Sequence, residues 1–269
     1  MSLSSFKFLP SFFLVTFLCF GSSFSNALVI GHFDNTRELH GFTTNSLFRA
    51  NRWLIDAGHT LVSTNQADAG FLSTVDAFYS GLISEVSVAE VNAMRGFVDN
   101  DGGFLFIQQD HTSSSPWAGP VNQILANWGI TTSGFHRNDA GNTVVGNSDW
   151  VTSPNVLSGF PGSGHSVIDT IPDGFEVLGV DDLGRAILGV FDAGAGRSSD
   201  VFISTDLNQW TQWDDLRTQE LWENIWTVAD NQINAVEPLV TPVVEPSSLG
   251  LLSLGLVMLG FARRKSHWT

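Results

Sequence analysis

Short apolar runs of strand length alternate with helical patterns through most of this chain, and that alternation restricts its fold more than any other feature. The run at 28–33 is almost continuously apolar, as expected for a strand buried on both faces. Six further strands are predicted at 59–63, 75–79, 104–107, 175–178, 186–191 and 201–204. Strands that alternate with helices favour an α/β fold with a mostly parallel, doubly wound sheet.

Four helices are predicted between or after these strands, starting at Thr43, Ser87, Pro116 and shortly before Leu221. The inner face of the first is predicted to carry Leu47, Ala50, Leu54 and Ala57. The second opens with Ser87-x-x-Glu90, the capping-box pattern in which each side chain satisfies a backbone amide of the other residue. The segment 131–172 is rich in Gly, Ser, Asn and Thr, which predicts loops and added antiparallel strands.

The first 27 residues predict a signal peptide. Lys7 precedes an apolar stretch from Phe8 to Phe20, and small residues lead to Ala27, after which we expect cleavage by signal peptidase. Cys19, the one cysteine, lies inside this segment. The mature chain therefore has no thiol for a disulfide, a thiolate metal site or a cysteine nucleophile.

The charge of the mature chain restricts its partners. Residues 28–246 contain all 27 acidic residues and only eight basic residues, all of them arginines. The net charge of this part is therefore −19. Such a field repels nucleic acid and anionic lipid surfaces. We expect no nucleic-acid partner; cation attraction and solubility alone are both compatible with this charge.

The C-terminal region changes composition at Asn234. A proline-rich segment, 234–246, predicts an extended linker. The uncharged segment Ser247–Ala262 and the basic Arg263, Arg264 and Lys265 follow. This order predicts a short membrane helix at 247–269 whose basic end stays in the cytoplasm.

The same tail resembles the PEP-CTERM sorting signal of Gram-negative exported proteins. Val244-Glu245-Pro246 stands where that signal has Pro-Glu-Pro, so one proline is replaced, and the apolar segment and basic end follow in order. The resemblance implies recognition by an exosortase, a membrane protease. It also implies residence in the inner membrane in transit, delivery to the cell surface or medium, and a link to exopolysaccharide and biofilm. A plain membrane anchor is the alternative.

The middle region, 28–233, resembles class I glutamine-amidotransferase-like domains, which are flavodoxin-like. The run Ser87–Leu105 matches a helix ending in Phe-Val, a Gly-Gly turn and a buried strand, and Gly194–Arg197 before Val201–Asp206 matches a later motif. An internal Asn in the closing helix, Asn224, also fits. The resemblance implies that fold, but the family's catalytic cysteine has no counterpart here, which excludes glutamine hydrolysis by the family mechanism.

Polar residues that follow three predicted strands are the candidate site. His32 and Asp34 follow the first strand, Asp110 and His111 the fourth, and Asp206 the last. Ligands of open parallel sheets bind beyond the carboxyl ends of the strands. Acids and imidazoles there predict a ligand or cation site, with Asp110, His111 and Asp206 the catalytic candidates. The alternative is that the aspartates cap helices and turns. No cofactor is predicted, and a divalent cation is the candidate ion.

Four tryptophans are a second candidate. Trp210 and Trp213 either form a stacking platform for a sugar or pack in the core. Trp222 and Trp226 are four residues apart on the last helix, which favours packing.

Three functions fit these observations. The leading hypothesis is an exported, non-catalytic ligand-binding module of the surface or matrix, with extracellular polysaccharide as a candidate partner. The alternatives are a metal-assisted or acid–base hydrolase and a purely structural surface protein.

Overall fold

A nine-stranded mixed sheet forms the centre of the molecule. The computed structural model describes residues 27–38, 47–110, 118–192 and 200–235. Its strands are β1 (Val29–Phe33), β2 (Thr60–Thr64), β3 (Ala77–Ser80), β4 (Phe104–Gln108), β5 (Thr131–Arg137), β6 (Asn142–Val144), β7 (Gly159–Phe160), β8 (Gly164–Thr170), β9 (Phe175–Val180), β10 (Ala186–Asp192) and β11 (Asp200–Ser204). The order across the large sheet is β2-β1-β3-β4-β11-β10-β9-β6-β7.

The large sheet has a parallel half and an antiparallel half. Strands β2, β1, β3, β4 and β11 pair in parallel, whereas β11, β10, β9, β6 and β7 pair antiparallel. The parallel strands β3, β4 and β11 are buried along their whole length, because layers of side chains cover both faces. The predicted α/β class with added antiparallel strands is confirmed.

Seven helices are described: α1 (Phe48–Asp56), α2 (Ala69–Leu72), α3 (Val88–Asp99), α4 (Ala118–Leu125), α5 (Asp149–Thr152), α6 (Asn208–Thr211) and α7 (Leu216–Ala235). The predicted capping box of α3 is confirmed, because Ser87 and Glu90 each accept the other's backbone N–H. Gly129, in the left-handed conformation, ends the turn that follows α4. No described helix is long and apolar enough to span a membrane.

Two apolar clusters lie on opposite faces of the parallel strands. One contains Phe106, Phe202 and the tryptophans of α7. The other contains Leu105, Ile203 and the buried residues of α3 and α4. This alternation along each strand follows from the two-residue period of β structure. It also determines which face each polar residue beyond the strand ends occupies.

Strands β5 and β8 form a separate two-stranded sheet, which we call the ribbon. It lies at the carboxyl ends of β4 and β11. The Ser166 N–H donates to Thr205 O at 3.1 Å, and Ser166 Oγ donates to Asp110 O at 2.7 Å. The predicted antiparallel strands of 131–172 therefore divide between the ribbon and the edge of the large sheet.

Ala57 was predicted on the inner face of α1, and this is wrong: it is exposed at the C-cap, where the chain turns into Gly58 at φ 100°. Thr43 and Pro116, the predicted helix starts, lie outside the described residues, as do 1–26, most of the linker 234–246, and the tail 247–269.

Candidate binding rim at the carboxyl ends of the parallel strands

The rim is defined here as the residues that follow the carboxyl ends of β1, β3, β4 and β11. Asp206, after β11, is fully buried, and its carboxylate accepts hydrogen bonds from the backbone N–H of Ser163 at 2.8 Å and of Gln209 at 3.3 Å. Burial raises the pKa of Asp206 to about 7, with a further contribution from the charge of Asp110, against the opposing backbone hydrogen bonds. The rim therefore brings Asp110 and Asp206 close enough to interact.

Asp34 has a local structural role. Its Oδ1 accepts from the Thr36 backbone N–H at 2.9 Å and from Thr36 Oγ1 at 2.5 Å, the geometry of an Asx turn. These hydrogen bonds with Thr36, and the nearby charge of Arg37, lower the pKa of Asp34. These contacts therefore support the alternative in which Asp34 caps a turn.

His32 is buried, and its Nδ1 donates to Phe33 O at 2.7 Å. Burial lowers the pKa of this imidazole, more than Phe33 O and Asp34 raise it. His111 lies outside the described residues. Within the described ranges no group of three or more His, Asp or Glu side chains is arranged to hold a metal ion, so the cation site stays a prediction.

The crevice between the ends of β1 and β3 contains a carboxyl group of the chain itself. Strand β1 lies between β2 and β3, so the strand order reverses here, and ligands of such sheets bind at this switch point. Glu38 occupies it: its Oε1 accepts the Gly81 backbone N–H at 2.7 Å, and the Phe33 backbone also bonds to it. Burial raises the pKa of Glu38 well above its ordinary value, despite these bonds.

Arg37 is the cation of this part of the rim, and its charge is compensated. Nη1 lies 3.2 Å from Glu90 Oε1 and 2.6 Å from Asn65 O, while Nη2 donates to Glu85 O at 2.9 Å. The guanidinium also lies over the Phe33 ring, 4.9 Å from its centre. A cation with this many partners is held in one position.

A pocket of about 390 Å³ opens beside Arg37 at the ends of β2, β1 and β3, and we call it the rim pocket. Its lining residues are Arg37, Asn65, Gln66, Glu85, Val86, Ser87 and Glu90. The volume falls in the range of small-molecule sites, and its position matches the preferred location in α/β sheets.

Four buried polar atoms of the rim have no hydrogen-bond partner among the described residues: Arg37 Nε, Glu38 Oε2, Ser80 Oγ and Gln109 Nε2. Ser80 lies opposite Ile107 in the ladder, so Gln109, two residues further on, is on the same face. Gln109 Oε1 accepts from Thr132 Oγ1 of the ribbon. A buried polar atom left unpaired costs roughly 1–3 kcal/mol, and such atoms typically bond to water or a ligand.

The tryptophans pack in the core. Trp210 is only 1% exposed, and its indole N–H donates to Gln108 Oε1. Trp222 lies 5.1 Å from Trp210 and 5.7 Å from Trp226, measured between ring centres. The core interpretation is therefore confirmed for Trp210, Trp222 and Trp226, and Trp213 packs against Trp222.

Asn224, singled out in the last helix, bonds to a loop. Its Oδ1 accepts from the Asn155 backbone N–H at 2.9 Å, and its Nδ2 donates to Asn155 O at 2.8 Å. The sequence analysis missed Arg37, Glu38, Ser80 and Gln109. The one available signal was that each lies within a few residues of the end of a predicted strand.

Comparison with known proteins gives likeness of fold. No family model and no curated protein matches the chain. Among solved structures, the mmIFT52 N-terminal domain superposes with a TM-score of 0.62 at 12% identity, over 75% of this chain and 96% of that one. A putative ThuA-like protein from Bacteroides uniformis gives 0.49 at 11% identity, over 75% and 90%.

An exo-β-1,4-mannosidase from an Opitutaceae bacterium gives a TM-score of 0.45 at 16% identity, over 76% of this chain but only 36% of the mannosidase. At these identities the structural matches do not indicate a shared activity. The likeness to the mmIFT52 N-terminal domain shows that this chain shares its α/β fold.

Proposed function

We propose that this chain is an exported, non-catalytic module that binds a neutral, polar ligand at the rim. The observation that carries the proposal is the unused hydrogen-bonding capacity of Glu38, Ser80 and Gln109 in the rim. A hydroxyl-rich molecule offers donors and acceptors to all three side chains. The ligand class that fits is a unit of an extracellular polysaccharide.

Three charged groups of the rim support binding over catalysis because the chain itself already engages them. Asp206 accepts from backbone amides, Asp34 closes a turn, and Arg37 is paired with Glu90. The only cysteine, Cys19, lies in the predicted signal peptide.

The sequence supports the route of export. The signal segment 1–27, the Val244-Glu245-Pro246 motif and the basic end after the apolar tail are those of a substrate of signal peptidase and an exosortase. The parallel strand order β2-β1-β3-β4-β11 supports a flavodoxin-like, amidotransferase-like domain, because it reproduces the order 2-1-3-4-5 of that class. The domain would reach the cell surface or the medium.

One observation favours the hydrolase alternative. Asp206 has a pKa raised to about 7 beside Asp110, and a carboxyl group that titrates near neutral pH suits acid–base catalysis. A divalent cation held by these acids and His111 would assist such a reaction.

Binding and hydrolysis are separated by one set of measurements on the full chain in detergent. The probe is soluble exopolysaccharide prepared from the native host, with calorimetry for binding and reducing-end release for hydrolysis. We expect binding without release, weakened at least about tenfold in Gln109→Leu, since one good hydrogen bond is worth on the order of 1.4 kcal/mol. Asp34→Asn is the control and should bind normally. Sugar release that disappears in Asp206→Asn would establish the hydrolase instead.

Sorting is tested in the native host. Replacing both Glu245 and Pro246 by Ala should leave the protein membrane-bound and unprocessed, because the motif that the exosortase reads is lost. Normal release of this variant would show that the tail is only an anchor.

A further inference from the structure

Two histidines of the ribbon are connected to the β9–β10 turn by one network. His136 on β5 and His165 on β8 have ring centres 6.0 Å apart. Arg185 Nη1 lies 2.6 Å from His136 Nδ1, and Arg185 Nε donates to Asp181 Oδ2 at 2.6 Å. His165 Nε2 lies 3.2 Å from the same Asp181 oxygen. We call these four side chains the histidine network.

The contact with Arg185 determines the protonation of His136. A guanidinium has only donors and stays charged at all accessible pH values. A hydrogen bond at 2.6 Å therefore requires a bare lone pair on His136 Nδ1. The ring must be neutral, with its single hydrogen on Nε2.

The contacts of His165 require the opposite state. Its Nδ1 lies 3.0 Å from the Ser163 carbonyl oxygen, and its Nε2 faces the Asp181 carboxylate. Burial raises the pKa of Asp181, but hydrogen bonds from Arg185, His165 and the Leu183 amide outweigh it and lower the pKa to about 2. Both partners of His165 are therefore acceptors, and both bonds form only if both ring nitrogens carry hydrogen.

We infer that the histidine network holds His136 neutral and His165 doubly protonated, and that acid breaks the hydrogen bond between β5 and the β9–β10 turn by protonating His136. A proton on His136 Nδ1 would face the Arg185 cation, so the hydrogen bond between β5 and the turn is lost. The cationic neighbours of His136 are Arg185 and His165, and its anionic neighbours are Asp181 and Asp169.

The balance of these neighbours agrees with the geometry. Burial, Arg185 and His165 lower the pKa of His136, and Asp181 and Asp169 only partly oppose them. A histidine whose pKa is lowered on folding stabilises the fold above its ordinary pKa of 6.5. It withdraws that stability as the pH falls through the folded value. The attachment should therefore be complete at neutral pH and weaken in acid.

The loss of this bond would reach the rim through one residue, Ser163. The Ser163 carbonyl accepts from His165, and the Ser163 N–H donates to Asp206 Oδ2 at 2.8 Å. A movement of the ribbon at this residue changes a hydrogen bond of a rim carboxylate. This device does not depend on the identity of the ligand, so it stands or fails separately from the proposed function.

Nitrogen-15 NMR of the histidine rings in the full chain tests the protonation states directly. His136→Gln and His165→Gln assign the two signals. We expect at pH 7 a neutral ring with unprotonated Nδ1 for His136 and two protonated nitrogens for His165. Finding both rings in the same state, or a hydrogen on His136 Nδ1, would overturn the inference, and the wild-type spectrum decides even if a variant folds poorly.

Hydrogen exchange of the amides of 131–137 tests the loss of the hydrogen bond between β5 and the turn. Corrected for intrinsic rates, exchange should rise severalfold between pH 7 and pH 5 in the wild type. The glutamine in His136→Gln still offers an acceptor to Arg185 but does not titrate. Amide exchange in this variant should therefore be the same at pH 7 and pH 5. His59→Gln is the matched control, because His59 Nδ1 also accepts a hydrogen bond, from the Leu28 N–H away from the ribbon. If exchange in His136→Gln rises between pH 7 and pH 5 as much as in the wild type, the inference is contradicted.

Discussion

Two buried carboxyl groups in different halves of the rim, Glu90 and Asp206, have pKa shifts of opposite sign. In the β1–β3 half, Glu90 is hydrogen-bonded and ion-paired to Arg37. Burial raises the pKa of Glu90, yet bonds from Arg37 and Ser87 lower it further than burial raises it. In the β4–β11 half, Asp206 has backbone donors and the acidic neighbour Asp110, and its pKa rises to about 7. A guanidinium bonded directly to the carboxylate decides the sign of the shift: Glu38, which lies in the β1–β3 half without such a bond, has a raised pKa.

This difference gives the two groups different sensitivities. Glu90 belongs to a compensated ion pair, so its contribution should depend on the presence of both partners. Asp206 is costly to ionise, so its contribution should depend on pH. Removal of one group in each half therefore tests the comparison.

The largest effect is expected from Glu90→Ala. It leaves the half-buried Arg37 without its anion and removes half of the capping box of α3. We expect the free energy of unfolding in urea to fall by about 3–5 kcal/mol, the usual cost of breaking a buried ion pair. Arg49→Ala is the control: its pair with Asp214 is exposed, and the loss should stay within about 1 kcal/mol. Equal losses in the two variants would contradict the compensated-pair account.

The next effect is the pH dependence due to Asp206. Because its pKa is raised from 3.8 to about 7, the folded state is favoured by a proton there. Stability should fall as the pH rises from about 4 through 7. The total is on the order of a few kcal/mol, since one pKa unit corresponds to about 1.36 kcal/mol. Urea titrations between pH 4 and 8 give the free energy of unfolding at each pH, and its dependence on pH should be weaker in Asp206→Asn. A variant that keeps the wild-type slope would refute the assignment.

A smaller effect is expected from Asp34→Ala. The Asx turn with Thr36 is lost, which should cost about 1 kcal/mol, as for a lost capping side chain. Ligand binding should not change, since Asp34 belongs to a turn. Thermal unfolding measures the stability of the variant, and calorimetry measures its ligand binding. Lost binding with normal stability would show that Asp34 belongs to the ligand site.

The sequence predicts the strands of the parallel half well because their apolar runs are long. The runs at 28–33, 104–107 and 201–204 correspond to β1, β4 and β11 within about one residue. The capping box at Ser87 is equally local. Each of these signals is complete within a short stretch of chain, so no tertiary information is needed.

The site was less predictable because its partners are distant in sequence. Asp206 was placed at the rim from its strand, but its donor Ser163 is 43 positions away on a loop before β8. Glu38 lies in a polar segment, and nothing local marks it as buried between β1 and β3. The ribbon follows from tertiary packing, since its composition predicts only loops and short strands.

The claim that the rim binds a neutral polar ligand is tested most directly through Ser80. Its hydroxyl is buried without a partner among the described residues, so Ser80→Ala should leave the ligand-free chain as stable as the wild type or more stable. With exopolysaccharide present, the wild type should gain thermal stability by mass action, and the variant should gain much less. If Ser80→Ala destabilises the chain equally with and without the polysaccharide, the hydroxyl is structural and the account is contradicted.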